Sequence, residues 1–183
     1  MNLNKPFIIN LASIICSSNF VDKTDKKFSD DCLNYHNELR AKHKSPKLAI
    51  DNKLVEQAKK RCLEYGNLTN NIKPNTVNTE NISGVMNMPE QLSCKVAIDL
   101  WYKQHKHYNF TDPKFNPKTA HFTALVWKES TKIGCARCSN GTTDTDLTKL
   151  SAVVCNYHPK GNVGIFNGKP TPKFFKDNVQ NKI

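Results

Sequence analysis

The side chains in this sequence that could bind a metal or move a proton are 6 histidines, 7 cysteines and 16 carboxylates. Their spacing separates chemistry from packing. His105 and His107 flank Lys106, and an i, i+2 pair points to opposite sides of a strand or splays in a loop, which argues against a shared metal. Cys135-x-x-Cys138 has the spacing of a zinc knuckle or a redox pair. No second such pair accompanies it, and disulfide use is the expected role.

The ends of the chain narrow the compartment. Residues 1–18 carry Lys5, an apolar run from Phe7 to Cys16 and small residues at Ser17 and Ser18, the three-part layout of a secretory signal peptide. That run is too short for a bilayer core of about 30 Å, and nothing downstream supplies the roughly 18 apolar residues of a span. Without Cys16 the mature chain keeps Cys32, Cys62, Cys94, Cys135, Cys138 and Cys155, an even set that predicts three disulfides of unassigned pairing in an oxidising compartment. Sequons at Asn67, Asn81, Asn109 and Asn140 are expected to be exposed glycan acceptors. The net charge is +11, and the lysines are dispersed. That pattern argues against a nucleic-acid patch and leaves a solvated basic surface able to attract anionic glycans or membrane surfaces.

The mature length of about 165 residues fits one domain. Ser29 and Asp30 offer a cap for a first helix with Leu33, Tyr35, Leu39 and Ala41 on its buried side, ending before Pro46. Asp51 offers a cap for a second, with Leu54, Ala58 and Cys62 inward and Gly66 as the stop. Residues 67–81 read as loop. A third helix is predicted from Pro89 through Leu92, Val96, Leu100 and Trp101 to Gln104. A loop from His105 to Thr119 presents Tyr108, Phe110 and Phe115 without helical period, and Phe122, Leu125 and Val126 fit a short helical turn. Residues 132–139 and 150–157 read as strands joined around Gly141, and 167–183 as a tail. Helices first and strands later predict an α+β fold with an antiparallel sheet.

Three segments carry a resemblance: His36-Asn37-Glu38-Leu39-Arg40, the stretch from Ala120 through His121-Phe122-Thr123 to Ser130, and Val154-Cys155-Asn156-Tyr157 continuing to Val163. Together with Thr79-Glu80-Asn81-Ile82 and Trp101-Tyr102 they resemble the CAP superfamily of cysteine-rich secretory proteins, antigen 5 and pathogenesis-related proteins. Among its members the chain most resembles the venom allergen-like proteins of parasitic worms and insects. The resemblance implies a single CAP domain over 19–166, built as a three-layer α-β-α sandwich with a small antiparallel sheet.

It also implies a cleft with two histidines and two acids able to hold a divalent cation. Here His121 supplies one histidine and Glu80 one acid. No histidine lies between His43 and His105, and Gln104 stands where the second acid is expected. Half of the ligand set is therefore missing, and neither a metal nor another cofactor is expected. His121 and Glu80 have no Ser or Cys nucleophile signature beside them. They are expected to form a hydrogen-bonded structural pair, with His36 also structural, in a non-enzymatic protein. The family's aromatic loop is associated with sterol binding, which assigns Tyr108, Phe110 and Phe115 to a sterol or fatty-acid site, with capping of the core as the bland reading. The expected protein is secreted and exports or sequesters lipid at a host interface. The alternative is a glycoprotein ligand that modulates immunity through a host protein, and a hydrolase ranks last.

Overall fold

The structure, a computed structural model, describes residues 20–66, 79–86, 92–140, 150–163, 165–166, 169–170 and 172–183. The expected leader, the Asn67 sequon, Pro89 and the Gly141 turn lie outside these residues.

In chain order the elements are β1 (Val21–Asp22), α1 (Lys26–Ala41), β2 (Ala49–Ile50), α2 (Asn52–Gly66), β3 (Thr79–Met86), α3 (Cys94–Lys103), α4 (Ala120–Val126), β4 (Lys132–Ser139), β5 (Leu150–His158), β6 (Ile165–Phe166), β7 (Lys169–Pro170) and α5 (Pro172–Asn178). Single 3-10 turns occupy Gln104–His107 and Pro117–Thr119. The main sheet runs β1-β4-β5-β3, antiparallel throughout, with β2 added in parallel alongside β4. Helix α2 covers one face of the sheet, while α1, α3 and α4 pack on the other. The result is the expected α-β-α sandwich. β5 is central and covered on both faces, so its residues from Ser151 to Tyr157 are all buried. This explains a near-continuous apolar run where one-sided burial would give alternation.

Close approach sets the α2 layer. A β-carbon on Gly134 of β4 would lie 2.2 Å from the backbone nitrogen of Val55 and 2.3 Å from the Leu54 carbonyl carbon, so the first turn of α2 rests directly on a strand that has no side chain there. Asp51 caps this helix as expected, its Oδ1 accepting from the amides of Lys53 and Leu54. Leu54, Ala58 and Cys62 are buried.

Helices α1 and α3 differ from expectation in start and in face. Asp25, in extended conformation, caps α1 by accepting from the Phe28 amide at 2.6 Å. Asp30 and Asp31 lie inside the helix, paired with Lys26 and Lys27 one turn earlier. Its buried stripe is Phe28, Cys32, His36, Leu39 and Arg40, and Ala41 is exposed. In α3, capped by Ser93, the buried residues are Cys94, Ala97, Ile98 and Trp101, whereas Val96 and Leu100 face solvent. The Cys32–Cys94 disulfide holds α3 against α1 and sets which stripe turns inward.

Two buried polar groups tie the α1 layer together. Arg40 is fully buried and donates from Nε to the Pro46 carbonyl, from Nη1 to those of Leu125 and Trp127, and from Nη2 to that of Ser130, all at 2.8–2.9 Å. Burial pulls its pKa down to about 10, so it stays charged at neutral pH. His36 donates from Nδ1 to the Cys32 carbonyl at 2.7 Å, which leaves Nε2 to accept from the Tyr157 hydroxyl at 2.9 Å.

The C-terminal segment is part of the fold, not a tail. Phe175 is buried edge-on against Trp127, with ring centroids 5.0 Å apart. Asn178 accepts from the Lys128 amide through its carbonyl and from the Glu129 amide through Oδ1. The Gln180 carbonyl accepts from His43, and the Ile183 amide donates to the Lys42 carbonyl.

Two stability predictions follow from these groups. Replacing Arg40 with Met removes the shared donor of four carbonyls, and at about 1–3 kcal/mol for each buried acceptor left unpaired the loss should exceed about 4 kcal/mol by urea denaturation. A loss under about 1 kcal/mol would show that the guanidinium holds nothing. Burial lowers the His36 pKa from the ordinary 6.5 to about 4, so the unfolded chain takes up the proton first as pH falls. His36 should therefore cost about 3 kcal/mol of stability between pH 6.5 and pH 4. A His36→Gln variant should be weaker at pH 7 but flatter with pH, and parallel curves would exclude a neutral His36.

Candidate functional site

The residues assigned to the cleft come from three different elements. Glu80 sits on β3 opposite Asn156 of β5. His121 is in the first turn of α4. Gln104 follows α3 and opens the 3-10 turn. The structure brings Gln104 and His121 together, but it does not join either to Glu80 in a hydrogen-bonded pair.

Glu80 is instead held by Arg61 of α2, whose Nε lies 3.0 Å from both carboxylate oxygens. Both side chains are close to buried. Desolvation pushes the Glu80 carboxyl up, and the Arg61 guanidinium opposes that rise. Arg61 also lies 3.6 Å from Glu64. The expected Glu80–His121 pair is thus replaced by an ion pair between the sheet and α2.

Gln104 does more than fill the place of an acid. Its Oε1 accepts from the backbone amides of His121 and Phe122 at 3.0 and 3.3 Å, and its Nε2 donates to His121 Nδ1 at 2.9 Å. Thr119, the residue before α4, makes no side-chain cap bond, so Gln104 satisfies the helix's first amides from across the fold. The two amides require the carboxamide oxygen, which turns the NH2 toward the ring and leaves the His121 proton on Nε2. Burial lowers the His121 pKa, in keeping with a neutral ring.

This arrangement does not suit a divalent cation. A ligating imidazole donates its other N–H to an acceptor, whereas His121 Nδ1 is itself an acceptor. Both oxygens of Glu80 are occupied by a guanidinium.

The buried network beside it includes a further departure from expectation. Asn81 is buried, and its Nδ2 donates to the His121 carbonyl at 2.9 Å and to the Tyr157 hydroxyl at 3.2 Å. Both amide protons are used inside the fold, so Asn81 is not the exposed glycan acceptor its sequon suggested. Asn109 is exposed. Asn140 is half-buried and accepts the Leu150 amide through Oδ1.

The remaining candidates resolve separately. His105 donates to the Tyr102 carbonyl at 2.7 Å and stacks on that ring, while His107 is exposed, so the two do not converge. The cysteines pair as Cys32–Cys94, Cys62–Cys138 and Cys135–Cys155. Cys135 and Cys138 therefore belong to different bridges. A cleft of about 370 Å³ opens between α1 and α3, lined by Asn34, Tyr35, Glu38, Cys94 and Lys95 among others. Tyr35 donates to Asp99 and Lys95 pairs with the same carboxylate.

In the aromatic loop, Tyr108 is buried with an unpartnered hydroxyl whose pKa burial raises. Phe110 is half-buried, edge-on to Tyr108 at 4.9 Å and parallel to His43 at 6.4 Å. Phe115 is 50% exposed, with the Phe175 ring 6.3 Å away. His43, given no role by the sequence, is the hub behind this loop. It donates from Nδ1 to the Gln180 carbonyl, accepts at Nε2 from Tyr102 and touches Phe122 edge-on. Neither His43 nor Arg61 carries a local signal, since both are recognised only by what the fold places opposite them.

An α-β-α sandwich closed by three disulfides defines a cysteine-rich scaffold. The chain belongs to the cysteine-rich secretory protein family, CAP, whose sequence profile matches residues 33–157. It is 34% identical over 174 residues to glioma pathogenesis-related protein 1 of Mus musculus, covering 85% of this chain and 64% of that protein. It is 33% identical over 157 residues to the Golgi-associated plant pathogenesis-related protein 1 of Homo sapiens, covering 84% and 93%. The fold matches that of the hookworm platelet inhibitor with a TM-score of 0.60 at 20% identity, over 87% of this chain and 80% of the other.

The clasp on His121 is open to test. In a Gln104→Glu variant the carboxylate should still accept the two amides and now attract a proton to Nδ1, raising the His121 pKa by about one unit or more. Titration of the His121 ring by NMR reads this directly. An unchanged pKa would mean that Gln104 does not set the tautomer.

Proposed function

We propose that this is a secreted, non-catalytic CAP protein that binds a flat hydrophobic ligand, a sterol in the first instance, at the loop carrying Tyr108, Phe110 and Phe115, and so sequesters or exports lipid at a host interface. The observation that carries the reading is Phe115, 50% exposed with the Phe175 ring behind it, on the same loop as the separate aromatic cluster of Phe110, Tyr108 and Phe122. An exposed ring with rigid aromatic neighbours behind it offers a face to a sterol without large rearrangement. A fatty acid between α1 and α3 is the weaker site. Those helices are stapled by Cys32–Cys94, and the cleft between them carries the charged groups of Asp31, Glu38 and Lys95.

Three disulfides fit an oxidising extracellular destination. Asn67, Asn109 and Asn140 are the proposed glycan acceptors. Asn109 stands beside Phe110 and accepts from the amide and hydroxyl of Thr111 through Oδ1, so a glycan there would border the ligand loop.

The test is binding of radiolabelled cholesterol and palmitate to the secreted glycoprotein, beside a Phe115→Ser variant whose exposed position leaves the core intact. Saturable sterol binding weakened about tenfold in the variant is expected, equivalent to about 1.4 kcal/mol. No binding of either lipid, or identical sterol affinity in the variant, would overturn the reading.

A further inference from the structure

Three stretches of chain without a carboxylate meet at one buried histidine. Residues 39–50, 101–108 and 178–183 contain no Asp or Glu. His43 of the first donates to the Gln180 carbonyl of the third at 2.8 Å and accepts from the Tyr102 hydroxyl of the second at 3.0 Å. The Ile183 amide closes the arrangement on the Lys42 carbonyl at 3.0 Å. Burial lowers the His43 pKa, and His105, Lys182 and Lys42 around it add to the lowering against the Gln180 carbonyl. The hub is therefore neutral, and cations surround it.

These stretches carry Lys42, Lys44, Lys103, Lys106 and Lys182, with His105 and His107. Lys42 and His105 are half-buried, and the others are exposed. Among the described residues, Lys42 alone of the five lysines is ion-paired, with Glu38 at 3.3 Å. Asp99, one turn before Lys103, is already held by Lys95 and Tyr35. Part of the clustering has a local cause. Helices α1 and α3 end side by side at the His43–Tyr102 bond, and the negative end of each helix favours cations. That preference fades within the last turn, so it does not account for Lys106 or for Lys182 on the C-terminal segment. The sequence disperses these lysines, and the fold gathers them.

We propose that this face binds a sulfated polysaccharide, its lysines pairing with successive sulfate groups along the chain. A sulfate ester keeps its charge across the physiological pH range, and a linear polyanion can follow cations contributed by three separate segments. Each lysine that replaces a condensed counterion releases it, which drives binding and makes it salt-dependent. The face presents charge and hydrogen-bond donors but no exposed ring. Tyr102 is half-buried with His105 stacked on it, and Phe110 is half-buried against His43 and Tyr108. Single-stranded nucleic acid needs rings on which its bases stack, and docking on a bilayer gains from apolar groups that insert. Ile183 is exposed here, but it is a single aliphatic chain. A sulfated glycan requires neither feature.

The experiment measures binding of the full secreted glycoprotein to immobilised heparin across a salt series. Two variants of equal charge are compared. Lys106→Ser, Lys182→Ser removes two lysines from the face, and Lys53→Ser, Lys60→Ser removes two exposed lysines from α2 on the other side of the sheet. The first variant should lose about tenfold in affinity at about 0.15 M salt, and its slope of log affinity against log salt should be shallower by about two. The α2 variant should stay within about twofold of wild type, and desulfated heparin should compete at least about tenfold less well than heparin itself. Equal losses in the two variants would show that the charge acts as a whole and would overturn the proposal. So would no heparin binding at that salt, equal competition by desulfated heparin, or tighter binding to phosphatidylserine vesicles or to a single-stranded oligonucleotide.

Discussion

A charged guanidinium with no carboxylate beside it among the described residues is the constraint around which the helical layer is arranged. Arg40 leaves the last turn of α1 and reaches carbonyls on both sides of α4's C-terminus, at Leu125, Trp127 and Ser130, and on the turn after α1, at Pro46. Burying a cation is costly unless its donors are met. The backbone meets them by curling around it, which fixes where α4 ends and β4 begins. Ser45 adds a bond to the Val126 carbonyl from the same turn. With α4 placed this way, His121 faces Gln104 and Phe122 fills the space behind the aromatic loop.

The cleft has been neutralised twice over by different chemistry. Arg61 places a permanent positive charge against Glu80, and it does so from α2 across the sheet. Gln104 exchanges a charged acceptor for a group that both accepts and donates, which fixes the His121 proton on the nitrogen remote from it. Each change makes sense of the other. With the carboxylate of Glu80 satisfied internally, a second acid would draw a proton onto His121 Nδ1, whereas a neutral carboxamide finds three partners on His121 and Phe122 of α4.

Helices α1 to α4 and strands β4 and β5 were legible in the sequence, whereas β3, whose start was read as loop, and rotation about the helix axes were not. Helix α2 was read correctly because Leu54, Ala58 and Cys62 are its only coherent apolar stripe. In α3 two stripes overlap, and the one with Val96 and Leu100 looks as apolar as the one with Ala97 and Ile98; only the Cys32–Cys94 bridge and the Trp101 contact decide between them. In α1 the inward positions include His36 and Arg40, polar residues that apolar patterning passes over. The family resemblance named Glu80, Gln104 and His121, yet the partners that define their roles were invisible, because Arg61 is distant in sequence and the amide orientation depends on α4. Asn81 shows the same limit. A sequon is a local pattern, and burial at the junction of β3, α4 and Tyr157 is not.

The segment after residue 167 was read as a tail because it has few apolar residues and no long period. Its hold on the domain comes from single contacts: Phe175 on Trp127, Asn178 on the turn after α4, Gln180 on His43 and Ile183 on Lys42. Two of these contacts reach the aromatic loop from behind. Phe175 neighbours Phe115, and the His43 ring held by Gln180 lies parallel to Phe110. The loop and the C-terminal segment therefore share their support, so the positions of Phe110 and Phe115 depend on residues with no apolar signature of their own. A binding surface at this loop is built by the end of the chain as much as by the loop itself.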